Sequence, residues 1–393
     1  MTKSLSADRR DDWLVAFLIG AVFLPWMAAF AVLGILALLL WLLPGTRRAL
    51  LRDRKELLFL APWPLLALIP PIVHRNFVGL AGGVGLLLVF TLSLWFRAVM
   101  TPVRARKALR LATFAGLLAD LYALAQKLLY VFRDFPATEP YTLPSNDELR
   151  TPSVFGNPNE FAAVAVFLVL ATLWLYWEGE LSLPVTGVLV CGHLMGLFLS
   201  ASLMGMLSLF FGGIVLLALK KRWRTLGVLL GGVAVGLLLL WLVPGLLPHA
   251  AGAGHSFAMR RQIWKLFPYL FREAPVFGRG FLSYWIFSPD YVGADLGFSV
   301  RVTTNAHSLL LDGLLNFGVV GTALFGWRLL RLVAESLRRH RRGASEAALA
   351  LAVMTAAAVH GLCDVTAAWP QVTVLLLAAV TAAVSSASPR EAA

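Results

Sequence analysis

The sequence predicts an all-α polytopic membrane protein with about twelve transmembrane helices. Hydrophobic residues make up 59% of the 393 and charged residues 14%, with a mean hydropathy of +0.78, against roughly 45–50% and about 25% in soluble globular domains. The apolar residues gather into stretches close to the roughly 20 needed to cross a bilayer as a helix. The formal net charge of +13 sits mainly in short segments between those stretches, as membrane topology requires, so it points away from nucleic acid. The two cysteines, Cys191 and Cys363, lie in or beside apolar spans and make neither a disulfide framework nor a metal motif.

Met1 to Asp12 is polar and ends in Arg9-Arg10-Asp11-Asp12. The apolar stretch that follows outruns a signal-peptide core and carries no small-residue cleavage site, so it reads as a retained first span. Spans are expected near 13–27, 29–43, 57–73, 77–96 and 109–132, making an N-terminal helical block over 1–132. A central block over 133–243 begins with an external loop, 133–159, rich in Pro, Asp and Glu. Its spans fall near 160–178, 183–200, 203–219 and 225–243. Residues 244–305 form the one large external loop, in which Ile263, Leu266, Phe267 and Leu270 at helical spacing predict a short amphipathic helix over 257–273 on the membrane surface. A C-terminal block over 306–393 carries spans near 306–333, 346–362 and 370–386.

Four strongly basic segments set the orientation: Arg47-Arg48 to Lys55, Arg104-Ala105-Arg106-Lys107, Lys220 to Arg224, and Arg338 to Arg342. With twelve spans and a cytoplasmic N-terminus, all four fall on the cytoplasmic side. The C-terminus is then cytoplasmic too, and both long loops are external.

Polar groups near membrane depth are read as functional by default, and here they cluster on the external side. The first cluster, Ser153 to Glu160, opens a span: Gly156 and Pro158 shape a turn, and Asn157 or Asn159 caps the following helix. The second joins Arg260 and Arg261 to the stretch Ala274-Pro275-Val276-Phe277-Gly278-Arg279-Gly280. Two adjacent arginines on the external side run against the positive-inside trend, and the arginine fork suits phosphate. Snorkelling to lipid headgroups is the plainer account. The third runs from Thr304 and Asn305 through His307 to Asp312, then Asn316 to Gly321. A neutral imidazole at His307 is suited to accepting a proton. The fourth, His360-Gly361-Leu362-Cys363-Asp364, reads as a structural hydrogen-bonding pair. There is no P-loop, no paired-cysteine zinc motif, no His-Glu-x-x-His and no Gly-x-Ser-x-Gly elbow. Neither a cofactor nor a metal is therefore expected. An external site without nucleotide needs a substrate already activated and carried in the membrane.

Three motifs carry a family resemblance: Gly-Asn-Pro-Asn at 156–159, Arg-x-x-Ile-Trp followed by Pro-x-Phe-Gly-x-Gly over 260–280, and Asn-Ala-His-Ser-x-Leu-Leu-x-Gly from 305, trailed by Gly318-Val319-Val320-Gly321. Over roughly 150 to 365 the chain resembles the O-antigen ligase and polymerase superfamily, bacterial inner-membrane enzymes acting on undecaprenyl-diphosphate-linked glycans. The resemblance implies a glycosyltransferase of the GT-C-type membrane architecture, with its site on the periplasmic or extracellular face. It implies an oligosaccharide donor on polyprenyl diphosphate and an acceptor that is either a glycolipid, as in lipopolysaccharide biosynthesis, or a second lipid-linked glycan. Membrane lipids are expected partners, with a chain-length regulator in the polymerase case. Arg260 falls on the family's diphosphate-binding loop arginine and His307 on its essential histidine. Arg261, Arg279, Asn157, Asn159, Asn305 and Asp312 are expected to line the substrate. The chain departs from the family at Leu203, where an arginine is usual, and Arg150 or Arg301 is expected to substitute. Ligase and polymerase are not separated by these motifs. A lipid-linked sugar transporter fits less well, because mid-span charges such as Asp120 are few and the polar groups lie at one face.

Overall fold

The computed structural model describes residues 2–42, 54–133, 150–242 and 250–384, with Arg47 and Leu51. Most of the predicted loop 133–159, much of the basic segment from Arg47 to Lys55, and 385–393 lie outside the described residues. Those described form fifteen α-helices and no strand: α1 Thr2–Ala21, α2 Trp26–Leu42, α3 Arg54–Leu60, α4 Trp63–Val73, α5 Phe77–Val99, α6 Pro102–Arg133, α7 Pro158–Trp177, α8 Leu183–Ser200, α9 Leu203–Leu219, α10 Trp223–Leu242, α11 Ala250–Glu273, α12 Ser283–Phe287, α13 Leu309–Arg341, α14 Glu346–His360 and α15 Pro370–Val384. Six segments among these residues are long and apolar enough to cross a membrane: Glu56–Val73, Phe77–Val99, Pro102–Leu129, Pro158–Trp177, Leu183–Ser200 and Leu309–Arg341. Trp26–Leu42, Leu203–Leu219, Glu346–His360 and Pro370–Val384 are shorter apolar helices beside them. The chain is a multi-pass membrane protein.

Local chemistry sets the helix ends. Asn76, Asn157 and Ser202 cap α5, α7 and α9 with side-chain oxygens that accept the first-turn amides of Gly79, of Asn159 and Glu160, and of Gly205. The span expected at 57–73 is divided between α3 and α4 at Ala61-Pro62, where proline cannot continue the helix. The bundle is centred on α7, apolar on nearly every side, which packs against α6, α8, α9, α14 and α15.

Ion pairs tie one end of the bundle together. Lys220 Nζ donates to Glu178 Oε1 at 2.6 Å, and the Arg106 guanidinium lies 3.4 Å from Glu346 and 3.7 Å from Glu180. Inside the bundle, Asp120 on α6 and His193 on α8 meet at 2.6 Å, both buried.

The amphipathic helix is longer than its periodicity predicts, beginning at Ala250 rather than 257. Its apolar face turns to protein: Ile263, Leu266 and Leu270 are buried against Tyr284, Ala306 and Leu315. A backbone seam fastens this segment to the bundle. The amides of Arg279 and Gly280 donate to the carbonyls of Leu315 and Asn316 at 3.0 Å, while Val319 and Val320 donate to Pro275 and Val276 at 2.9 and 3.1 Å. The seam exists because α13 kinks at Gly318 (φ 62°, ψ −167°), which frees those groups from the helix ladder. Gly278 (φ 68°) and Gly318 both adopt backbone that disfavours L side chains, and at either a Cβ would overlap the opposing backbone.

The close approach of α6 and α8 yields a prediction. A Cβ at Gly196 would overlap Asp120 Oδ1 and come within 2.9 Å of Phe161, whereas Gly187 on the same helix has open space. Gly196→Ala should destabilise the protein by roughly 1–3 kcal/mol, and Gly187→Ala should leave it unchanged or slightly stabilised. Thermal unfolding in detergent distinguishes them, and equal Tm values for both variants would contradict the packing described.

Candidate functional site

At the end of the bundle opposite the Glu178–Lys220 pair, segments distant in sequence meet at Asp364. Its Oδ2 accepts a hydrogen bond from Asn159 Nδ2 at 2.6 Å, and its Oδ1 accepts one from the amide of Val365 at 2.8 Å. The Arg260 guanidinium stands 3.7 Å and His307 Nδ1 3.8 Å from the same Oδ2. Burial pushes the Asp364 carboxyl up, but the adjacent His307, His360 and Arg260 outweigh it and hold the group well below the usual carboxylate range.

Each partner is positioned from its own backbone. Asn159 occupies the first turn of α7, behind the Asn157 cap, and its Oδ1 accepts from the Arg150 guanidinium at 2.6 Å and from Ser202 Oγ at 3.0 Å. Arg150 also donates through Nε to Ser200 O at 3.0 Å. Arg260 projects from α11 and is anchored through Nε on Cys363 O at 2.7 Å. His307 holds a left-handed backbone, φ 46°, in a non-glycine residue, a strain that persists only where surroundings impose it. Here they do. Asn305 Oδ1 accepts the His307 amide at 2.9 Å, Asp312 Oδ1 accepts the Ala306 amide at 3.0 Å, and Trp264 Nε1 donates to Ala306 O at 3.0 Å. Asp312 is in turn held by Asn316 Nδ2 at 2.8 Å, while Asn316 Oδ1 accepts the Ser283 amide at 3.1 Å.

Five of the residues singled out from sequence therefore converge: Asn159, Arg260 and His307 beside the acid, Arg150 one step removed on Asn159, and Asn305 behind His307. Asn157 and Asp312 serve as cap and brace. The remaining three arginines make no hydrogen bond or ion pair to Asp364. Arg261 is exposed on the next face of α11. Arg279 pairs with Glu273 at 3.3 Å and lies over the Phe287 ring at 4.3 Å. Arg301 contributes its carbonyl, which accepts from Tyr284 OH at 3.0 Å. Leu203 is 54% exposed at the start of α9, three residues beyond the carbonyl that Arg150 holds.

Sequence reasoning missed Asp364 as the centre of this cluster, reading it as a structural partner of His360. His360 bonds instead to Thr366, Nδ1 to Oγ1 at 2.8 Å. The signal available was an acid in an apolar neighbourhood at the same membrane end as two candidate cations. Glu160, which closes the first cluster, was given no role of its own: it is fully buried, and its Oε2 accepts the Gly156 amide at 3.1 Å. Among the described residues no group of acids, histidines and cysteines is arranged to hold a metal ion.

Removing the acid tests the cluster. Asp364→Asn leaves Arg260 and His307 without their shared counter-charge and should cost roughly 3–5 kcal/mol at pH 7. The folded carboxyl titrates below its ordinary value of 3.8, so its stabilisation is complete above that pH and is lost as the pH falls through the lower folded value. The gap between wild type and variant should therefore begin to narrow only below about pH 3.8 and close as the pH approaches the lower folded value, and a gap unchanged in acid would remove Asp364 from the centre.

Residues 186–326 match the family model described as O-antigen ligase. That segment holds Arg260, Arg261, Arg279, Arg301, Asn305, His307 and Asp312, and leaves Arg150, Asn157, Asn159 and Asp364 outside it. Among curated proteins, none matches the chain.

Proposed function

Because residues 186–326 match the O-antigen ligase family model, we propose that the chain is a member of the O-antigen ligase and polymerase superfamily and that it transfers a glycan from a polyprenyl-diphosphate donor to an acceptor hydroxyl. The observation that carries this reading is the convergence of Arg260 and His307 on one buried carboxylate, at 3.7 and 3.8 Å, at one end of a set of apolar helices. A base and a fixed cation side by side are what a displacement at an anomeric carbon with a diphosphate leaving group requires.

In this mechanism the acceptor oxygen forms the new bond to the anomeric carbon while the bond from that carbon to the diphosphate oxygen breaks. The electron pair leaves with the diphosphate. Arg260, anchored at Nε and therefore costing little reorganisation, stabilises the charge developing there. Arg150 stands in for the family arginine absent at Leu203, supported by its bond to Ser200 O, and Arg261, Arg279 and Arg301 guide the donor from the periphery. His307 takes the hydroxyl proton. With Nδ1 facing Asp364, Nε2 is the nitrogen presented to the acceptor, and the acid stabilises the imidazolium formed. Asn159 and Asn305 hold the two groups in register. No step calls for a metal or nucleotide.

The same reading places the protein in the bacterial inner membrane as a twelve-span, GT-C-like enzyme. Both termini are cytoplasmic and the site is periplasmic or extracellular, where lipid-linked glycans are assembled into envelope polysaccharide. The basic segments Arg104–Lys107, Lys220–Arg224 and Arg338–Arg342 support that orientation.

A reconstituted assay tests it. Purified protein receives polyprenyl-diphosphate oligosaccharide with and without a glycolipid acceptor, without nucleotide or divalent metal. Product only with the added acceptor is the ligase outcome and the one expected. Longer lipid-linked chains from donor alone would assign a polymerase. His307→Ala and Arg260→Ala should each lower the rate by roughly 10²–10⁴-fold. Donor crossing proteoliposomes intact, with no transfer in any condition, would overturn the enzyme reading in favour of transport.

A further inference from the structure

The chain holds a cavity of about 480 Å³ far from Asp364, at the opposite end of the bundle, between the middle of α1 and the first turns of α6. Its volume is in the range of small-molecule sites, roughly 300–1,000 Å³. The two helices rise from the same end, and their lining changes character together. At the mouth stand Arg9 and Asp12 from α1, with Arg104 and Lys107 from α6; two turns further in, the walls are Ala16 and Leu111. Seven residues separate Arg9 from Ala16 and Arg104 from Leu111, a rise of about 10 Å. Over that distance a bilayer passes from phosphate to acyl chain.

The charges have a defined arrangement. Asp12 is shared, with Arg104 Nε at 2.6 Å from one oxygen and Lys107 Nζ at 3.3 Å from the other. Arg104 is further fixed by donating to Val99 O. Three cations face one carboxylate, so the mouth carries net positive charge after its internal pairing. Lys107 and Arg9 are exposed there. The inner half opens sideways: Trp13 is 76% and Leu111 39% exposed, so an apolar chain has a path out between the helices, and a tryptophan stands where interfacial aromatics are favoured.

From this geometry we infer that the crevice between α1 and α6 binds an anionic glycerophospholipid of the surrounding bilayer, with its phosphate at Arg9, Arg104 and Lys107 and an acyl chain along Ala16, Ala108 and Leu111. A soluble anion would use the mouth and leave the apolar half without a partner, whereas a lipid fills both. The inference rests on the chain's embedding in a membrane and is independent of the proposed glycan transfer.

The test uses the full chain, purified in neutral detergent and titrated with phosphatidylglycerol or phosphatidylcholine while native mass spectrometry counts bound lipid. Wild type should retain phosphatidylglycerol in preference. Arg9→Ala with Lys107→Ala should weaken that binding by roughly ten- to thirtyfold, each basic side chain being worth about 1 kcal/mol beside an anionic lipid. Arg338→Ala with Arg342→Ala, two exposed arginines at the same end, should not. Ala16→Phe should block the inner half and weaken binding with no change in charge. Equal losses in both double variants, or no loss in the first, would overturn the site. Displacement of the lipid by millimolar inorganic phosphate, with Ala16→Phe silent, would reassign the crevice to soluble anions and overturn the lipid.

Discussion

A carboxylate buried at the end of an apolar bundle sets the terms for everything around it. Ionised Asp364 has given up its water, and that cost is recovered only if cations and hydrogen-bond donors are brought to it. Its own loop supplies the Val365 amide. The rest comes from afar: Asn159 from α7, Arg260 from α11 and His307 from the loop before α13. The demand of one charge thus couples the central helix, the segment carrying α11 and the C-terminal helices, elements that apolar packing alone leaves free to slide.

That coupling needs a rigid frame, and the frame is backbone rather than side chain. The kink at Gly318 releases carbonyls and amides that the 275–280 segment then satisfies. A seam of main-chain hydrogen bonds at a break in a membrane helix is tolerated only where protein covers it, and the α11 subdomain provides that cover. Asn316 sits at this junction and passes the constraint through Asp312 to the Ala306 amide, next to His307. The glycine-rich motifs and the histidine motif are thus two parts of one structural unit.

This explains which parts of the molecule were legible in the sequence. Helix positions followed from apolar length and, for α7, from the cap at Asn157, which acts within three residues of itself. The face of α11 followed from the spacing of Ile263, Leu266 and Leu270, although its packing partner did not. Arg260 and His307 were legible through motif resemblance, and Arg150 through the gap at Leu203. Contacts between distant segments were not. Asp120 reads as an isolated mid-span charge because its partner His193 lies 73 positions away. Asp364 reads as a local pair with His360 because its real partners lie on other helices. The break at Ala61-Pro62 was visible as proline but not as the division of one span into two helices.

The two polar ends of the bundle differ in how their charges are balanced. At one, the three carboxylates of Glu178, Glu180 and Glu346 share two cations, Arg106 and Lys220, in a network of direct ion pairs whose gain is structural. At the other, Arg260 and His307 stand 3.7 and 3.8 Å from Asp364, Arg150 reaches it through Asn159, and buried Asp312 braces the loop behind His307. The first end closes its ion pairs directly, whereas the second fixes its arginines on neutral oxygens, Arg260 on Cys363 O and Arg150 on Ser200 O and Asn159 Oδ1, so their positions do not depend on the acid alone.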